Sequence, residues 1–383
     1  MVEAEPRLTT EEGRVHAAIR KLLGTRAVLC VVGVGVGAAF LVGCTGQSVS
    51  TTAGASVPSP SVSATSPSAA PAGAGSWTDL KPSGALPEGR ENQSMVTDPL
   101  SQEVIMFGGM GGNGPLSDTW AYDPSADTWT DLNPSGAVPD ARYGGAMVYD
   151  SSTGKVIMFG GSGANGPLND IWAYDPTANT WTNLNPSGTL PKARDATALV
   201  SDASTNKLIM FGGVGMSGQL NDTWAYDPTA NTWTDLQPSG TVPDARAGQS
   251  MAYDPSTGKV IMFGGFGSAS LNDTWAYDPG ANTWTDLKPS GTLPPARNNF
   301  SLSYEASLDQ VVAFGGFSDS NYLSDTWAYD PSANTWTDLN PSGTLPDARD
   351  GGSMAYDPTS QKVILFGGYD GTNYLNDTWA YSS

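Results

Sequence analysis

Six near-copies of one strand constrain this chain more than any other feature. The clearest copy is Lys155-Val156-Ile157-Met158-Phe159-Gly160-Gly161, and its Gly-Gly pair returns at 108–109, 160–161, 212–213, 264–265, 315–316 and 367–368. Successive intervals are 52, 52, 52, 51 and 52 residues. A fixed period of this length signals one supersecondary unit stacked repeatedly, so the 383 residues are read as one repeat body with a leader.

The second unit shows the plan. Tyr143 to Tyr149 is followed by the turn Asp150-Ser151-Ser152-Thr153-Gly154 and then by Lys155 to Phe159. A loop leads to Ile171-Trp172-Ala173-Tyr174, the turn Asp175 to Asn179, and Thr180 to Leu184. Four short apolar runs separated by turn residues predict a four-stranded antiparallel meander, with strands A to D in chain order. Strand B places Val156 and Met158 on one side and Ile157 and Phe159 on the other, so both sides need cover. Strand C has bulky Trp172 and Tyr174 on one side and Ile171 and Ala173 on the other. Sheets with one bulky and one small face nest against copies of themselves, and a ring of six buries every face, as in a β-propeller.

The apolar strand ending in Gly-Gly, the downstream Asn/Ser-Asp-x-Trp-x-Tyr-Asp-Pro and a second Trp resemble the kelch-repeat family. Pairs such as Trp120/Trp129, Trp224/Trp233 and Trp327/Trp336 carry the likeness over residues 76–383. The resemblance implies an all-β, six-bladed kelch-type propeller with four antiparallel strands per blade and strand A innermost. The first repeat element, Ser76 to Leu80, is a lone strand D, whereas the last unit ends at strand C with Trp379-Ala380-Tyr381. Strand 76–80 is therefore expected to complete the last blade and abolish the open edge.

Ahead of the repeats, residues 1–26 are polar with Arg20, Lys21 and Arg26, and residues 27–43 are apolar. This reads as a secretory signal. Its end, Leu41-Val42-Gly43-Cys44, resembles a bacterial lipoprotein signal, which implies lipidation of Cys44; an uncleaved signal anchor is the alternative. Residues 44–75 are rich in Ser, Thr, Pro, Ala and Gly and read as a disordered tether. The expectation is a bacterial cell-membrane protein, lipid-anchored or signal-anchored, with its propeller monomeric on the extracytoplasmic side.

Charge and chemistry narrow the function. Net charge is −20 over the whole chain. From Cys44 onward there are 13 Lys and Arg against 34 Asp and Glu, which argues against a nucleic-acid partner. The only His, His16, and the only Cys, Cys30 and Cys44, precede the repeats. Thiol nucleophiles, Ser-His-Asp machinery, imidazole or thiolate metal sites and kelch-type copper radical oxidase chemistry are thereby excluded from the body. Neither a metal nor a cofactor is assigned, and the Asp before x-Trp reads as a turn cap.

In an A-B-C-D meander the D–A and B–C loops share one face, and it is there that the units differ. Each D–A loop ends in an arginine: Arg90, Arg142, Arg194, Arg246, Arg297 and Arg349. By the kelch resemblance these open strand A near the central channel, either to grip acidic groups or to tie neighbouring chain together. Phe266, Phe300, Phe317, Tyr322, Tyr369 and Tyr374 gather in units four to six and form the second candidate set. Aromatic and Asn/Asp surfaces suit a protein or glycan partner. The leading expectation is a binding protein, with a carbohydrate-active enzyme or a passive envelope scaffold as alternatives. The segment Asp123 to Trp129 superficially resembles a sialidase Asp box, but its spacing is one residue too long.

Overall fold

The computed structural model describes residues 75–383. The signal segment 1–43, Cys44 and the tether up to residue 74 lie outside the described residues. The repeat body is a six-bladed β-propeller of four-stranded antiparallel sheets. Blade 1 runs Ser94–Asp98, Glu103–Phe107, Thr119–Asp123 and Thr128–Asp131 as strands A to D. In blade 2 the register pairs Lys155 with Asp150 and Phe159 with Ala146, then Phe159 with Ile171. Strands A of neighbouring blades touch around the axis, and the last touches the first.

Closure follows the sequence reading. Ser76–Asp79 pairs antiparallel with the last strand C, Thr378–Ser382, from Ser76↔Ser382 to Asp79↔Trp379. Trp77 is 5% exposed and its ring lies 4.9 Å from Phe314 of blade 5. The lone strand thus binds two blades at once. It also brings the chain in at the C–D edge of blade 6, opposite the D–A and B–C loops.

The core lies between blades. Val156, Met158, Trp172, Tyr174 and Trp181 of blade 2 pack against Ile105, Phe107 and Ala121 of blade 1. This is the bulky face on the small face, repeated around the ring. A polar tie recurs within it: the strand D indole donates to the first Thr of strand C in the preceding blade. The bonds Trp77–Thr326, Trp129–Thr378, Trp181–Thr119, Trp284–Thr223 and Trp336–Thr274 are 2.9–3.0 Å. The sixth indole, Trp233, faces blade 2, where Ile171 replaces that Thr. Its N–H is buried and has no partner among the described residues.

Candidate functional site

The site is built on a closed circle of backbone hydrogen bonds. Two residues after each arginine stand Asn92, Gly144, Ala196, Gly248, Asn299 and Gly351, all at φ between 48° and 65°. Each N–H donates to the carbonyl of the equivalent residue one blade earlier, as in Gly144 to Asn92 and Ala196 to Gly144, both 2.8 Å. Asn92 donates to Gly351 at 2.7 Å and closes the circle. Left-handed backbone favours Gly and Asn; only Ala196 departs, at a cost of about 1 kcal/mol. Beneath the circle is a cavity of about 220 Å³ with Ser94, Thr197, Gln249 and Ser301 in its wall. Met95, Met251, Leu302 and Met354 line both this cavity and the one further along the axis, so the channel narrows at an apolar waist.

The six arginines stand just outside that circle and are 0–1% exposed. Arg194 shows the pattern: Nε donates to the Lys192 carbonyl and Nη1 to the Gly212 carbonyl, both at 2.9 Å. Nη1 and Nη2 also grip Asp222 through both carboxylate oxygens, at 2.6 and 2.7 Å. Trp224 Nε1 donates to the same carboxylate at 2.8 Å. The partners elsewhere are Asp118, Asp170, Asp273, Asp325 and Asp377. Burial alone would raise these carboxyls, but the guanidinium bonds and charge outweigh it and hold Asp118, Asp170, Asp222, Asp273 and Asp377 below the usual range. Of the two roles expected for the arginines, this geometry is the structural one. The Asp before x-Trp, read from sequence as a turn cap, is instead the arginine's counter-ion. That the pair would meet is signalled by its recurrence at a separation of 27–28 residues in every unit.

Outward from the circle, each blade presents a short radial row of backbone-paired residues. The residue after the arginine pairs with the one after Gly-Gly, which in blades 1, 2, 3, 5 and 6 pairs across the B–C hairpin with a residue five positions later. The rows are Glu91–Met110–Pro115, Tyr143–Ser162–Pro167, Asp195–Val214–Gln219, Ala247–Phe266–Ser270, Asn298–Phe317–Tyr322 and Asp350–Tyr369–Tyr374. Cross-strand partners point to the same side of their sheet, so each row acts as a unit. The residue missing from unit four shortens its hairpin, Phe266 pairing with Ser270 only four positions on.

In blades 5 and 6 the rows become aromatic and meet. Ring centroids are 5.1 Å apart for Phe317–Tyr322, 6.0 Å for Tyr322–Tyr369 and 5.2 Å for Tyr369–Tyr374. The middle step crosses from one blade to the next, and all four rings are half-buried. Phe266 joins no ring pair among the described residues and stays in blade 4. Phe300 is placed in the core, 6% exposed and 5.4 Å from Phe263. Thus four of the six aromatics named from sequence form one ladder.

Asp195 differs from the other carboxylates. Burial pushes its carboxyl up to about 6, with a hydrogen bond from Ser162 only partly opposing the shift. Among the described residues, no group of three or more His, Cys, Asp or Glu is placed to hold a metal ion.

Comparison with known proteins decides the lineage. The model of the KLHDC2/KLHL20/DRC7 Kelch-repeats domain matches residues 72–265, 117–307 and 258–383, which together span every blade. The chain belongs to the Kelch-repeat family. Propellers of this family typically serve as protein-interaction scaffolds. Kelch domain-containing protein 2 of Bos taurus is 27% identical over 322 residues, covering 74% of this chain and 77% of that protein. Putative adagio-like protein 2 of Oryza sativa subsp. japonica is 29% identical over 327 residues, covering 78% of this chain; the chain spans only 50% of that relative. The Rab9 effector protein with kelch motifs of Xenopus laevis is 29% identical over 211 residues, covering 53% and 57%.

Proposed function

We propose that this Kelch propeller is a membrane-tethered, extracytoplasmic binding protein that captures a macromolecular partner on its D–A and B–C loop face. The ladder Phe317–Tyr322–Tyr369–Tyr374 carries this reading, because it alone breaks the repeat with large apolar side chains joined across two blades. Half-buried aromatic clusters are the usual energetic centre of a protein interface. The tether reading rests on the basic and apolar run ending at Cys44.

The test is capture of partners from envelope extracts by the propeller and by its Tyr322→Ala, Tyr369→Ala double variant. Loss of specific partners with the variant is expected; an unchanged set would refute the reading. A hydrolytic role on the same face has one observation in its favour, the elevated carboxyl of Asp195, which suits proton transfer near neutral pH. Fluorogenic glycoside turnover that vanishes in Asp195→Asn would establish it.

A further inference from the structure

The chemistry around the ladder singles out one class of partner. Glu88 and Asp319 are exposed, and neither takes part in an ion pair among the described residues. Asp319 sits at the hairpin tip between Phe317 and Tyr322. Asp370 follows Tyr369 and accepts from the Thr372 and Asn373 N–H groups at 2.7 and 2.6 Å, which fixes its carboxylate at the rim. Glu88 precedes Gly89, which packs against the Tyr374 carbonyl (a Cβ there would stand 2.2 Å from it), and the Glu88 carboxylate lies over Gly111 of blade 1, at the blade 6–1 boundary beside the ladder's end. Asp350 is bonded through its backbone to Tyr369, at 2.8 and 3.1 Å. Carboxylates therefore accompany the ladder from one end to the other.

Cations are missing from the same ground. The B–C loops of blades 5 and 6 and the D–A loop between them contain no lysine. Their arginines, Arg297 and Arg349, are buried and paired to Asp325 and Asp377. At the blade 6–1 boundary Lys81 pairs with Asp79 at 3.5 Å. Most remaining lysines of the described residues, such as Lys155, Lys207, Lys259 and Lys362, open strands B at the opposite edge.

We propose that the ladder is the docking site of a basic, extended protein segment whose Arg or Lys side chains lie over the tyrosine rings and pair with Glu88, Asp319 and Asp370. The proposal rests on the ladder being the binding surface, and adds the charge class and form of the partner. Aromatic faces attract guanidinium and ammonium groups, and flanking carboxylates add charge-assisted hydrogen bonds. The ring spacings of 5.1, 6.0 and 5.2 Å match roughly five residues of extended chain at ~3.3 Å each. The rings meet at 66°, 72° and 48°, so they offer edges and faces in turn rather than the flat platform on which sugars stack.

Fluorescence polarisation with three short synthetic peptides tests this at about 0.15 M salt. One alternates Arg with Gly, one has Glu for every Arg, and one has Ser. The Arg peptide should bind and the other two should not. Tyr322→Ala should weaken it about tenfold, whereas Tyr322→Phe should retain most of the affinity. Glu88→Gln with Asp319→Asn, which leave the fold's bonds intact, should weaken it by about threefold to tenfold. Asp140→Asn with Asp244→Asn, exposed loop carboxylates of other blades, should change nothing. Equal binding to parent and Tyr322→Ala, no binding of the Arg peptide, or equal sensitivity to the control pair overturns the proposal. Ladder-dependent binding of the Glu or Ser peptide, or of a neutral oligosaccharide, overturns the charge class while leaving the ladder as the binding surface.

Discussion

The two edges of these six sheets answer to different demands. At the A–B and C–D edge every turn is tied by its own side chains. Asp150, Asp202 and Asp254 accept the N–H two residues on at 2.9–3.1 Å, and in the C–D turns Asp227, Asp278 and Asp330 accept the N–H three residues on at 2.9 Å. Asn179, Asn231, Asn282 and Asn334 donate to a leucine carbonyl of the preceding blade at 2.7–2.8 Å. Here repetition is the structure. At the D–A and B–C edge the arginine ties and the carbonyl circle are equally repetitive, but they lie beneath the surface. What they hold up differs in every row. Invariance within one chain therefore marks the frame, and departure from it marks what the frame presents.

That contrast can be broken by experiment, beginning with the frame. Deleting residues 76–80 removes Trp77 and the fourth strand of blade 6, so the ring should lose cooperative unfolding altogether. A thermal transition unchanged from that of a protein starting at Gly75 would disprove closure. Arg194→Met should cost roughly 3 kcal/mol by leaving the Gly212 and Lys192 carbonyls and the Asp222 carboxylate without their donor. Urea titration reads it, and Tyr322→Ala in the ladder should fall far short of it. Acid probes the same ties. The carboxyls of Asp118, Asp170, Asp222, Asp273 and Asp377 are held below their unfolded value near 3.9, so their stabilisation is present above about pH 4 and fades as pH falls through the folded values.

Asp195 should behave in the opposite sense. Its folded carboxyl titrates at about 6, above the unfolded value, so ionising it costs stability progressively as pH rises from about 4 to 6. Asp195→Asn should therefore stabilise at neutral pH by roughly 1–3 kcal/mol and flatten the pH dependence there. The smallest effect is expected from Ile171→Thr. The orphan Trp233 N–H costs about 1–3 kcal/mol and the lost ethyl group about 2, so the variant should gain up to ~1 kcal/mol in calorimetry. A loss would show that blade 2 repacked around Ile171 more tightly than its neighbours pack around Thr.

Much of this was legible from residue order. The Gly-Gly period counted blades, and the alternation in Val156-Ile157-Met158-Phe159 showed that both faces need cover. The orphaned strand Ser76 to Leu80 announced how the ring closes. These are local patterns repeated at a constant interval, and each copy meets the same neighbours. The arginines were ambiguous, because a recurring cation reads alike as ligand grip or brace until its depth is known. The aromatics were ambiguous for a related reason: Phe300 and Phe317 look equivalent in sequence, yet one enters the core beside Phe263 and the other faces the loops.

Sequence by itself determined the number of blades, the strand order and the seam. Only the tertiary structure decided that Asn92 and Gly351 close a circle, that Trp233 lacks the bond its five equivalents make, and that Tyr322 meets Tyr369. Each of these is a contact between adjacent blades, where the partners are far apart along the chain. Their meeting depends on how one sheet is set against the next. Residue order states which side chains a blade offers, and the packing of the ring selects which of them touch.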